Sequence, residues 1–67
     1  MTHLNFMSVW RKRSKFSQWE FAQQLHISQK DVSDIETGKI WPDIGMREKI
    51  CEILKQPLEQ VFPTKEG

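Results

Sequence analysis

At 67 residues the chain has room for one small domain, with 37% apolar and 28% charged residues and a formal net charge of +1. That length buries only a modest core and lies near the lower limit for folding alone. A single cysteine, Cys51, excludes an intrachain disulfide. Two scattered histidines beside it do not make a zinc site, so helix packing must supply the stability, and no cofactor or metal is expected. No apolar run is long enough to span a membrane. The opening MTHLNFMSVWRKR has no basic flank ahead of its apolar part, so no signal peptide is expected and the cytoplasm is the default location.

Charge is unevenly spread. Residues 1–40 carry six Lys/Arg against four Asp/Glu, and residues 41–67 carry four against five. The asymmetry permits a polyanionic partner without requiring one.

In chain order, Phe6, Met7 and Trp10 form an apolar stripe at helical spacing, with Asn5 as N-cap and basic residues toward the C-terminal end. This predicts a first helix over 5–14. Ser17 and Glu20 form a capping box that opens a second helix over 18–25, whose apolar face is Phe21, Ala22 and Leu25. Ser28 caps a third helix over 29–36, with Val32 and Ile35 inward and Gly38 as terminator. Asp43 caps a fourth over 44–55, with Ile44, Ile50, Ile53 and Leu54 as apolar positions. Pro57 suits the first turn of a short fifth helix carrying Leu58, Val61 and Phe62, and residues 63–67 read as a flexible tail. No strand pattern or repeat is present.

Only His26 and Ile27 separate Leu25 from Ser28. Two helices joined by so short a turn, with the small residue Ala22 where they cross, form a helix-turn-helix. The second helix of such a pair can enter the DNA major groove while the first lies across the backbone. Along the third helix Gln29, Lys30, Ser33, Asp34 and Thr37 point away from the core. A glutamine can bond adenine bidentately, and a lysine can donate to guanine O6 and N7. Gln18, at the start of the second helix, and Lys39, just past the third, suit phosphate contact.

The sequence resembles the Cro and phage-repressor type of helix-turn-helix domain, also called the Xre family. Arg11, Ser17-Gln18, Phe21-Ala22, Ile27-Ser28, Val32-Ser33, Ile35-Glu36 and Gly38 carry the resemblance. Pro42, Ile50, Leu54 and Pro57–Phe62 continue it, so that it covers residues 5–62. It implies an all-α, compact five-helix, lambda-repressor-like domain with the helix-turn-helix in helices 2 and 3. It also implies a cytoplasmic, bacterial or phage-encoded transcription regulator acting as a homodimeric repressor on a palindromic operator of double-stranded DNA. The DNA-facing set is Gln18, Ser28, Gln29, Lys30, Ser33, Asp34, Thr37 and Lys39. Leu58, Val61 and Phe62 are the candidate dimer residues, and some of them must also complete the core of the protomer. The resemblance further implies an ion pair between Arg11 and Glu36.

The departures from the family pattern are equally specific. His26 and Lys15 stand where the family has glycine, at positions that call for positive φ. Asp34 stands where a basic or amide residue is common. It can accept from a cytosine amino group, or lie at the groove edge and weaken wrong sites. Trp19 and Trp41 replace polar residues. Each can donate its indole N–H to phosphate, lie over the core, or form a patch for a protein partner. That last option keeps a second reading open, a protein-interaction module such as an antitoxin or antirepressor-binding partner. An enzyme has no spaced catalytic group to support it.

Overall fold

Side-chain caps fix where most of the helices begin. The structure, a computed structural model, describes residues 5–63. Among these lie five helices and no strand: α1 Met7–Arg13, α2 Gln18–Leu25, α3 Gln29–Glu36, α4 Ile44–Leu54 and α5 Leu58–Val61. At α2 the capping box is complete. Ser17 Oγ accepts from the Glu20 N–H at 3.0 Å, and the Ser17 N–H donates to Glu20 Oε1 at 2.9 Å. Ser28 Oγ accepts from the Asp31 N–H at 3.1 Å, and Asp43 Oδ1 from the Met46 N–H at 2.9 Å. Each such cap contributes about 1 kcal/mol.

The first helix is shorter than its stripe predicts, and its N-cap is Phe6 rather than Asn5. Asn5 still acts from one residue further out. Its Oδ1 accepts from the Met7 N–H at 3.0 Å while its Nδ2 donates to the Ile35 carbonyl at 2.7 Å. One amide thus opens α1 and ties it to the end of α3. Helix α4 stops one residue before its expected end, and Pro57 is the N-cap of α5 rather than part of its first turn.

Four helices end in the same way. At α1 the Lys15 N–H reaches the Lys12 carbonyl (3.0 Å) and the Phe16 N–H the Arg11 carbonyl (3.1 Å). The same two bonds recur around His26 after α2, Gly38 after α3 and Lys55 after α4. This is the Schellman motif, whose central residue must be left-handed. The φ values are 66° at Lys15, 59° at His26, 84° at Gly38 and 58° at Lys55. Only one of these four positions is glycine, the residue that adopts such angles without steric cost.

The core is built from Met7, Phe21, Ala22, Leu25, Val32, Ile35, Ile50, Cys51, Leu54, Val61 and Phe62, all buried. Helices α2 and α3 pack against each other most extensively, with Ala22 small enough to let them approach. Ile27, in the turn between them, packs on this core and fixes the turn. Two residues expected on apolar faces lie outside it: Phe6 is 49% exposed and Ile44 also faces solvent. Phe6 is the N-cap of α1 and Ile44 the first residue of α4. Trp10 packs on the core from the edge and donates its indole N–H to the Gln60 carbonyl at 3.1 Å. Trp41 packs edge-on against Phe62, with ring centroids 5.5 Å apart, and the Arg47 guanidinium lies 5.2 Å from its ring centre. Of the readings open for Trp41, covering the core is therefore the one this packing supports.

Candidate nucleic-acid interface

Helix α3 is held from inside by Val32 and Ile35 and from its end by charge. Arg11, on α1, places its Nε 2.6 Å from Glu36 Oε2, and both side chains are only 7% exposed. The same guanidinium donates through Nη1 to the Phe16 carbonyl at 2.7 Å, fixing the link between α1 and α2. Glu36 also accepts from Gln18 Nε2 at 2.9 Å. An ionised carboxylate only accepts, so Gln18 turns its nitrogen toward it and its oxygen outward. That oxygen meets Gln29 Nε2 at 3.4 Å. A continuous polar chain thus runs from buried Arg11 through Glu36 and Gln18 to exposed Gln29. No buried side-chain nitrogen or oxygen lacks a partner among the described residues.

This chain brings the starts of α2 and α3 onto one surface. Gln29 and Lys30 are exposed in the first turn of α3, and Ser33 and Asp34 are half-buried one turn on. Ser28 spends its acceptor on capping, and a hydroxyl so engaged retains a proton to donate. Gln18 is half-buried, with part of its amide already engaged by Glu36. Thr37 is exposed, but its hydroxyl donates to the Ser33 carbonyl at 3.0 Å within its own helix. Lys39 is exposed directly after Gly38, its backbone N–H anchored to the Asp34 carbonyl at 2.8 Å.

Lys30 Nζ stands 2.9 Å from Asp34 Oδ2. Hydrogen bonding to Asp34 and its charge raise the Lys30 ammonium above its ordinary range. The spacing of four residues was the available signal for this pair. No sequence pattern pointed to the Gln18–Glu36 bond, since it joins residues distant along the chain.

The candidate dimer residues divide. Val61 and Phe62 are buried in the protomer, where they complete its own core, so they have no surface left for a partner. Leu58 is half-buried and keeps part of its side chain at the surface. Trp19 is 60% exposed on α2, the outer face of the same helix that carries Gln18. The only cysteine, Cys51, is buried, and that burial pushes its thiol up while the nearby Arg47 charge works the other way.

Residues 9–61 match the model of a family described as Helix-turn-helix. The chain belongs to this family, of the Xre/Cro type, a class of DNA-binding regulators. Among solved structures, it is similar to the crystal structure of a "putative DNA-binding protein from Bacteroides fragilis", at 24% identity and a TM-score of 0.79. The match covers 87% of this chain and 94% of that one, and at this identity it establishes the shared fold. No curated protein sequence matches the chain. Among the described residues no helix is long and apolar enough to cross a membrane.

Proposed function

We propose that the protein is a sequence-specific repressor that reads its operator with the outward face of α3. The observation that carries this reading is the exposure of Gln29 and Lys30 at the start of a helix whose opposite face, Val32 and Ile35, is sealed into the core. A helix so presented fits the major groove, about 12 Å wide. Gln29 would read adenine and Lys30 guanine. Ser28, Ser33 and Thr37 would line the same groove. Gln18 and Lys39 would contact phosphates on either side and set the helix in register without reading sequence.

One such module reads few base pairs, so the active unit is a homodimer on a palindrome. Its two copies of α3 would then lie about 34 Å apart in successive major grooves. Leu58 is the dimer residue that remains available once Val61 and Phe62 are committed to the core. Repression follows from occupancy, because a dimer seated over a promoter excludes polymerase.

A second reading is favoured by Trp19. An indole 60% exposed on the helix beside the proposed groove face is a suitable anchor for a protein partner, as an antitoxin or antirepressor target would need. Enrichment of bound duplexes from random DNA separates the two. A recovered palindrome whose affinity falls steeply with salt supports the repressor. No enrichment, with early elution from heparin, supports the partner module.

A further inference from the structure

Two charges on α3 are placed against the helix that carries them. Lys30 lies in the first turn, where unpaired N–H groups favour anions, and Asp34 in the last turn, where unpaired carbonyls favour cations. They pair with each other in the order lysine then acid, the weaker of the two orders at this spacing. The lysine side chain is 81% exposed and the aspartate side chain 14%, so the ammonium is the open end of the pair. An ion pair with one partner this exposed is largely screened by water, and stability alone is a weak reason for the arrangement. It lies on the surface that carries Gln29 and Thr37.

Resting on the DNA-binding reading above, we propose that Lys30 and Asp34 act together as one reader of a single G·C base pair. Lys30 would donate to guanine O6 and N7, and Asp34 would accept from the cytosine N4 amino group. Spacing and sign both match. The pair presents a cationic donor and an anionic acceptor 2.9 Å apart. On the major-groove edge of G·C, the O6 acceptor and the N4 donor are hydrogen-bonded to each other and so lie about 2.9 Å apart. The two arrangements dock as antiparallel dipoles, and neither charge loses a partner on leaving water.

The other base pairs fit less well, in a definite order. With thymine under the lysine, O4 accepts and the adenine N6 donates to the aspartate, but the lysine has one acceptor instead of two and meets the methyl group. With adenine there, the aspartate faces the O4 acceptor of thymine. With cytosine there, the lysine faces an amino group and the aspartate faces O6 and N7. The order, naming first the base under Lys30, is G·C, then T·A, then the remaining two.

The test is selection from random duplexes by the full chain and by three variants, with circular dichroism to show that each is folded. These are Asp34→Asn, Lys30→Met, and the exchange of Lys30→Glu with Asp34→Lys. The wild type is expected to enrich a G·C pair in each half-site, with T·A as its nearest substitute, by roughly 5- to 150-fold over the worst pair. Asp34→Asn is expected to bind random DNA more tightly and to keep the other positions, while its preference at this pair falls to a few-fold. The exchanged variant keeps an ion pair four residues apart and is expected to lose the G·C preference, which a purely structural pair would retain. Unchanged selection in Asp34→Asn and in the exchanged variant overturns the proposal. So does a base pair other than G·C responding to Lys30→Met. A wild type that enriches no duplex fails the DNA-binding reading and takes this inference with it. A wild type that enriches a site indifferent to both residues overturns this inference alone.

Discussion

Arg11 Nε and Glu36 Oε2 stand 2.6 Å apart, joining the first helix to the last turn of the third in a setting almost closed to water. The pair does more than brace two helices. Glu36 also holds Gln18, and Gln18 holds Gln29, so the orientation of an exposed amide depends on a buried ion pair.

Removing one partner strands a charge where water cannot reach it. Arg11→Met is expected to destabilise the domain by about 3–5 kcal/mol, because Glu36 is left uncompensated. Glu36→Gln is expected to lose less, since the amide oxygen still accepts from the arginine, while its nitrogen faces the Gln18 nitrogen and that bond survives only if Gln18 turns over. Urea unfolding followed by tryptophan fluorescence measures both. Equal stability of Arg11→Met and wild type would show that the pair lies open to solvent.

The left-handed residues closing α1, α2 and α4 are a reserve of stability. Glycine at Lys15, His26 or Lys55 removes a Cβ clash of about 1 kcal/mol at each site. Thermal unfolding of the triple variant is expected at a higher temperature than wild type. Gly38→Ala is expected to do the reverse, since its φ of 84° is unfavourable for any side chain.

Under the proposed function, Lys39 would position the domain and Gln29 would read sequence. Lys39→Ala is expected to weaken binding to every duplex about equally and to lower the slope of log affinity against log salt by about 1. Gln29→Ala is expected to relax one base position at a cost of about 1–3 kcal/mol while leaving that slope nearly unchanged. Fluorescence anisotropy over a salt series distinguishes the two.

Cys51 is buried and its thiol is pushed up by desolvation, so little thiolate forms near neutral pH. The native protein is expected to resist iodoacetamide and to react promptly once unfolded in urea. Equally fast alkylation of the two states, read by mass spectrometry, would place Cys51 at the surface.

The helices were legible because their signals are local. Ser17 with Glu20, Ser28 and Asp43 are caps that act over three residues, and each opens a helix where its spacing indicates. Gly38 likewise marks the end of α3 by its own conformational freedom. The positive φ at His26 and Lys15 could be anticipated only through the family pattern, and at Lys55 nothing in the residue type announces it. Phe6 and Ile44 were misplaced because helical spacing says which residues share a face, not whether the fold covers that face. Val61 and Phe62 carry the same ambiguity: an apolar side chain does not state whether its own protomer or a partner fills the space around it, and of the three candidates these two are the ones that complete the core. The Arg11–Glu36 pair was reached through resemblance. The Gln18 link to it was not, because a glutamine at a helix start carries no mark of what it will meet 18 residues later in the chain.

The central claim is that the outward surface of α3 meets the groove, and titration of the isotope-labelled protein with its enriched duplex tests it most directly. The largest amide and side-chain shifts are expected on Gln29, Lys30, Ser33, Asp34 and Lys39, with Gln18 beside them. Shifts gathered instead around Trp19, with α3 unmoved, would contradict it.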